Sequence, residues 1–240
     1  MIDAHCIILG AMKCATSSLF DALALHPMIA PARFKEPAFF CRETDASGEA
    51  FAEYDALFDF DPTRHAYALE GSTAYTKAPL TDPQAAAARM RGTGRRFRFI
   101  YIARDPIERM ASHIRQHLDD GHVTPESRFQ HLAMIECFSR YADQLDRFRS
   151  GWPDCDIAVF DYDEVIDPAS GTLSRILSWL DLPAADAVRI IPHSNRSLSR
   201  LSTDMIFTPG QRSFLRKRLA PEIVRFGREW GIDVAKWGFG

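Results

Sequence analysis

Apolar residues fall in short runs separated by longer amphipathic stretches. His5 to Ala11 is an apolar run too short for a helix and reads as a buried strand. Thr16 to His26 then places Leu19, Phe20, Leu23 and Leu25 at helical spacing, and His26-Pro27 stops it. Residues 28–48 read as a loop with an aromatic pair, Phe39-Phe40. Phe51 to Phe58 is expected to be a short helix and Ala66 to Glu70 a strand. Thr81 or Asp82 is placed to cap a helix with Pro83 in its first turn, running to Met90 and closed by Gly92 and Gly94. Phe97 to Ala103, aromatic and β-branched, is the clearest strand. Asp105-Pro106 opens a helix to about His117, and a third helix is expected over roughly Arg128 to Phe148. Ile157 to Asp161 reads as a strand, Leu173 to Leu180 as a helix and 192–203 as a polar loop. Gln211 to Trp230 is either one helix broken at Pro221 or two short ones.

Strands alternating with helices predict βαβ units. The expected fold class is therefore α/β, three layers, with a central parallel sheet flanked by helices. No linker, repeat or low-complexity stretch divides the chain, so residues 1–240 are read as one domain. The 240 residues carry 29 Lys plus Arg against 32 Asp plus Glu, a formal charge of −3. That balance argues against a general nucleic-acid binder. There is no basic leader and no run of about 20 apolar residues, so no membrane span is expected. The five cysteines are odd in number and contain no C-x-x-C, so a reduced, cytoplasmic setting without zinc is the simplest expectation.

Between the first strand and its helix lies Gly10-Ala11-Met12-Lys13-Cys14-Ala15-Thr16-Ser17-Ser18-Leu19. A helix N-terminus offers unpaired N–H groups and a partial positive charge, which suits a phosphate. Lys13 adds a mobile point charge, and Thr16, Ser17 and Ser18 add hydroxyls. A Walker A loop counted from Gly10 would need glycine at 15 and lysine at 16, where this chain has Ala15 and Thr16. After the strand ending at Ala103 comes Arg104-Asp105-Pro106, then Glu108, Arg109 and Ser112. Arg104 sits where open α/β sheets bind ligands, and with Ser112 it has the spacing to hold one phosphate.

These two segments resemble the cofactor motifs of sulfotransferases that use 3′-phosphoadenosine-5′-phosphosulfate (PAPS). The first resembles their Gly-x-x-Lys-x-Gly-Thr-Thr/Ser-x-Leu loop at Gly10, Lys13, Thr16, Ser17 and Leu19, with Ala15 in place of the family glycine. The second matches Arg-Asp-Pro-x-x-Arg followed by Ser, at Arg104, Asp105, Pro106, Arg109 and Ser112. The resemblance implies the P-loop-NTPase-like sulfotransferase fold. It implies that Lys13, Cys14, Ala15, Thr16, Ser17 and Ser18 hold the 5′-phosphosulfate and that Arg104 and Ser112 hold the 3′-phosphate. Arg196, in Ser194-Asn195-Arg196-Ser197, falls where a basic loop closes over the nucleotide.

Sulfuryl transfer to a hydroxyl needs a base, positive charge on the leaving phosphate and in-line alignment. Phe34-Lys35-Glu36-Pro37-Ala38-Phe39-Phe40 resembles the Lys-Glu-Pro-x-Phe-Phe segment of the glycan-type enzymes, which assigns the base to Glu36 and places Lys35 at the substrate. The aromatic pair is expected to desolvate the carboxylate. His113, His117 and His122 are the alternative bases, since aryl and alkyl sulfotransferases use histidine, and His113 is also a substrate-site candidate. Glu70-Gly71-Ser72-Thr73-Ala74-Tyr75 resembles Glu-Lys-Ser/Thr-Pro-x-Tyr, with Gly71 replacing the lysine and Lys77 nearby as a substitute. Tyr75 is expected to line the acceptor site. Arg89, Arg91, Arg95, Arg96 and Arg98 form a basic cluster, read as a solvated helix end. No metal is expected, because lysine and arginine carry the electrostatics.

The resulting expectation is a sulfotransferase that moves the sulfuryl group of PAPS to a hydroxyl of a carbohydrate, glycolipid or other small molecule by direct displacement. A P-loop kinase-like phosphotransferase and a non-catalytic nucleotide-binding module are the rival readings.

Overall fold

The computed structural model describes residues 2–42, 48–185 and 201–240, the side chains of 48–50 excepted. Its centre is a five-stranded, all-parallel sheet in the order β2-β3-β1-β4-β5, flanked by helices. The strands are β1 Ala4–Gly10, β2 Ile29–Pro31, β3 Tyr67–Gly71, β4 Arg96–Ala103 and β5 Asp156–Asp161. β1 is buried over its whole length, as a strand covered on both faces must be. It pairs with β3 (Ile8 beside Gly71) and with β4 (Ile8 beside Ile100). The strand order therefore reverses at β1, and the crevice beyond its carboxyl end is where such sheets take ligands.

The helices are α1 Thr16–Leu23, α2 Gly48–Asp55, α3 Pro83–Gly92, α4 Pro106–Asp119, α5 Leu132–Cys137, α6 Tyr141–Gly151, α7 Tyr162–Ile166, α8 Thr172–Trp179, α9 Thr203–Ile206 and α10 Pro209–Trp230. α3 and α4 begin as their sequences predict. The Asp82 carboxylate accepts from Ala85 N–H, the Asp105 carboxylate accepts from Ile107 and Glu108 N–H, and a proline starts each first turn.

The structure departs from the sequence expectation in four places. A three-residue edge strand, β2, lies inside the expected loop, and Pro31 ends it. The helix expected over Arg128 to Phe148 is two helices, α5 and α6, separated at Phe138–Arg140, where Ser139 turns to meet Arg109. α1 ends at Leu23 rather than His26, with Leu25 and His26 N–H closing tighter turns onto Ala22 and Leu23. α10 runs unbroken through Pro221, held by the buried Leu215, Leu219, Ile223 and Phe226. No described helix is long and apolar enough to cross a membrane.

Candidate active site

The loop joining β1 to α1 takes a strained course. Lys13 (φ 70°) and Ala15 (φ 59°, ψ 22°) both adopt the left-handed backbone. For alanine this costs about 1 kcal/mol relative to glycine. The conformation brings Thr16 and Ser17 to the first turn of α1, whose N–H groups have no partners within the helix. Cys14 is fully buried and its thiol is pushed up to about 11 by that burial, so it is neither thiolate nor nucleophile. The Lys13 ammonium donates to Gln116 Oε1 on α4 at 3.1 Å, and burial lowers its pKa.

Glu36 lies on the segment leaving β2 and also has a left-handed backbone (φ 61°). Its N–H donates to Gly71 O at 3.0 Å, which pins it to the end of β3. Its Oε2 accepts from Thr73 N–H at 2.8 Å, and its side chain keeps 38% exposure. Next to it, Lys35 donates to Ser17 Oγ at 2.6 Å and stands 3.6 Å from Glu36 Oε1. One ammonium thus bridges the candidate base and the phosphate loop. Lys77 is half-buried nearby, with Glu36 its main opposite charge.

Behind this pair is a buried clamp. The fully buried Glu70 carboxylate accepts from Tyr54 Oη (2.6 Å), Ser72 Oγ (2.6 Å) and Tyr75 Oη (2.8 Å). Ser72 Oγ also accepts from Ala38 N–H, and Tyr75 Oη from Phe40 N–H. Glu70 therefore ties the 72–75 turn to the 38–40 segment that follows Glu36.

At the end of β4, Arg104 packs over the Tyr162 ring at 4.3 Å and stands 3.6 Å from Glu108 Oε2. Glu108 Oε2 also accepts from Thr203 Oγ1, which anchors the start of α9 to this site. Ser112 follows on α4, on the same helix as Arg104's partner Glu108 and Lys13's partner Gln116. The Arg104 and Lys13 segments leave adjacent parallel strands at their carboxyl ends, in the middle of the sheet.

Comparison with solved structures finds sulfotransferases among the chains whose folds superpose on this one. A sulfotransferase from Alicyclobacillus acidocaldarius superposes with a TM-score of 0.70 at 22% identity, over 99% of each chain. The sulfotransferase domain from the curacin biosynthetic pathway gives 0.53 at 13% identity, over 86% of this chain and 83% of its own. A mouse sulfotransferase complexed with PAP gives 0.54 at 16%, over 95% and 89%. This chain has the sulfotransferase fold. No family model and no curated protein sequence matches it.

Within the sulfotransferase fold, the two departures from the motifs have physical accounts. Ala15 keeps the left-handed geometry that glycine would adopt without cost. Gly71 leaves room for Lys35: a Cβ there would meet Lys35 Cε at 3.4 Å and Phe20 Cδ2 at 3.3 Å. The Lys35 stem therefore lies over the position of the missing lysine and carries its charge to Ser17 at the start of α1.

Other site expectations change too. Phe39 and Phe40 pack on Tyr54 in the core, and Phe40 also packs on Phe97, so the pair does not desolvate Glu36. Tyr75 is fully buried with its hydroxyl engaged by Glu70 and Phe40, so it supports the site from behind rather than lining it. His113 is buried against Phe138 and burial holds its pKa near 2, which leaves it a neutral imidazole without an exposed edge. His117 and His122 lie beyond it with His131. His26 is structural: Met28 N–H donates to its Nδ1, and its Nε2 donates to Pro183 O. Of the basic cluster, Arg89 donates to Phe40 O, Arg95 pairs with Asp55, and Arg98 with Asp156 and Asp181. Arg196 and its loop lie outside the described residues. Among the described residues no group of three His, Cys, Asp or Glu side chains is placed to hold a metal. Sequence reasoning missed Glu70 and Thr73 as site-builders; the one signal was an acidic residue inside the otherwise apolar strand Tyr67-Ala68-Leu69-Glu70-Gly71.

Proposed function

We propose that residues 1–240 form one catalytic unit, a sulfotransferase that takes the sulfuryl group of PAPS to a hydroxyl of a carbohydrate or glycolipid. The observation that carries this is Lys35, which donates to Ser17 of the phosphate loop while standing 3.6 Å from the Glu36 carboxylate. That geometry sets a carboxylate one side chain away from a phosphate-type site, as a single displacement requires. The fit to PAPS rests on the donor set: loop hydroxyls and Lys13 after β1, Lys35 reaching Ser17 from the segment after β2, and Arg104 at the end of the neighbouring β4 with Ser112 on the α4 helix that follows it.

PAPS supplies an activated sulfuryl group whose bond to the 5′-phosphate oxygen breaks as the acceptor oxygen bonds to sulfur. Glu36 takes the acceptor proton. Its orientation comes from Thr73 N–H, and Lys35 is the adjacent charge. Lys13, whose ammonium is held against α4 by Gln116, would offset the charge that grows on the leaving phosphate. Lys77 adds a further positive charge near Glu36 and Lys35. Arg104 and Ser112 orient the nucleotide through its 3′-phosphate.

The test is transfer of labelled sulfate from PAPS to a panel of neutral and acidic glycosides. Lys13→Ala and Glu36→Gln are each expected to lower transfer at least about 100-fold. Glu36→Gln is expected to leave PAP affinity within about twofold, since a base contributes to the reaction rather than to nucleotide binding. Full activity in either variant would refute the assigned roles. PAP binding that required magnesium would point instead to a kinase-like enzyme.

A further inference from the structure

Among the described residues, Arg109 is the one arginine whose side chain is wholly enclosed, with no exposed surface. Its Nε donates to Ser139 Oγ at 2.6 Å and its Nη2 to Ile135 O at 2.5 Å. Both acceptors are neutral. Nη1 is buried without a partner, and no carboxylate lies within ion-pair distance among the described residues. A buried guanidinium left uncompensated is costly, and chains normally pair it.

Its surroundings show which way that charge acts. Tyr141, Cys14, Tyr101 and Arg104 lie close enough to feel its charge. Cys14 belongs to the phosphate loop. Tyr101 sits beside Gly10, where an added Cβ would meet its ring at 2.8 Å, and Tyr141 Oη donates to Arg104 O. Arg109 thus lies beneath both phosphate-type segments, behind the residues that face them. Its charge also acts on Lys13, Lys77 and His113. The carboxylates flanking the two segments are already occupied: Glu36 by Thr73 and Lys35, Glu108 by Thr203 and Arg104, and Asp105 by the α4 N-terminus and Arg216.

We propose that Arg109 is a positioning residue for an anion seated on the 10–18 loop, its buried charge left unneutralised by the chain so that the bound anion completes the balance. This rests on the reading above, under which the anion is the 5′-phosphate end of the nucleotide. Arg109 does not touch that group. It raises the potential under the loop and fixes the α4–α5 packing through Ser139 and Ile135. A charge supplied from inside the fold is not screened by salt as a surface lysine is.

The experiment compares the full-length wild type with Arg109→Lys and Arg109→Met, by calorimetry with PAP and with 3′-AMP, which lacks the 5′-phosphate. Arg109→Met is expected to weaken PAP at least about tenfold and 3′-AMP less than about threefold. Arg109→Lys, which keeps the charge and loses the fork, is expected to hold PAP affinity within about threefold. The Tm of unliganded Arg109→Met is expected to be no lower than that of Arg109→Lys. A purely structural role predicts the reverse: both ligands weakened in proportion and both variants destabilised. That result overturns the proposal, as does unchanged PAP binding by Arg109→Met. Should Arg109→Met not fold, Arg109→Gln takes its place. Inorganic phosphate provides a readout without variants: a wild-type Tm that it fails to raise also overturns the proposal. Wild type that phosphate stabilises but that does not bind PAP would reject the sulfotransferase reading and leave the charge role standing.

Discussion

Single residues decide how far this loop follows the glycine-bearing pattern it resembles. Ala15 takes φ 59°, the geometry that glycine adopts freely. The strain is about 1 kcal/mol, and part of what Ala15→Gly recovers returns to the unfolded chain as added entropy. Ala15→Gly is therefore expected to change stability between nothing and a gain of about 1 kcal/mol, a rise in Tm of up to about 4 °C. Calorimetric melting of the two proteins checks it, and a clear loss of stability would mean that alanine is packed there rather than strained. Lys35 gives the second residue-scale lesson. The sequence pairs it with Glu36 and an acceptor, whereas the structure sends its ammonium to Ser17. A Cβ at Gly71, a residue 36 positions away in the chain, would already touch that stem at 3.4 Å, so a lysine there would compete with it for the same space.

At the level of elements, the site is an assembly of strand ends held by one buried carboxylate. Glu70 accepts from Tyr54, Ser72 and Tyr75, and two of those hydroxyls fix the backbone on either side of Phe39. Tyr75→Phe removes one donor to Glu70 and leaves Phe40 N–H without its acceptor. Its cost is about 1–3 kcal/mol. Because Thr73, in the same turn, orients Glu36, sulfate transfer is expected to fall in Tyr75→Phe more than PAP affinity does. Chemical denaturation together with PAP calorimetry tests both parts. Equal loss of the two would make Tyr75 a stability residue only. The elements carrying the β1–α1 loop and Arg104 were legible from the chain because local signals mark them: a short, nearly continuous apolar run, a Ser/Thr-rich helix start, and Asp-Pro at a helix opening. β2 was not legible, since three residues ending in proline carry no period. Nor was the break between α5 and α6, which answers to a tertiary demand, the hydrogen bond from Arg109 to Ser139. The clamp escaped for the same reason, as its donors come from α2, from the end of β3 and from the turn after it.

Over the whole molecule, burial of ionisable groups sets how the fold responds to acid. His5 sits in the core with its ring stacked on Phe97 at 4.8 Å and on Tyr54 at 5.3 Å, and neither ring nitrogen has a partner among the described residues. Burial, reinforced by the charge of Arg95, pushes its pKa from 6.5 down to about 3. His113 is pushed down to about 2, by burial first and then by Arg109. In the unfolded chain both regain ordinary values, so below about pH 6.5 the unfolded state binds protons that the folded state refuses. Stability is then fully present above that pH and falls as the solution is acidified toward 3, by up to about 1.4 kcal/mol per pH unit for each histidine. By pH 3 two such groups together remove up to about 9 kcal/mol, enough to exhaust the lower part of a stability of about 5–15 kcal/mol. His5→Phe keeps the stacking on Phe97 and Tyr54 and removes one of the two protonation sites. It is expected to leave stability at pH 8 equal or higher, because a buried polar ring without partners is lost. It is also expected to shallow the decline between pH 6.5 and 4 by up to about half. Urea denaturation at a series of pH values reads this directly, with Trp152, edge-on to Phe97, as a fluorescent reporter of the same core. Parallel wild-type and His5→Phe curves across that range would show that His5 finds a proton acceptor in solution and that acid acts elsewhere.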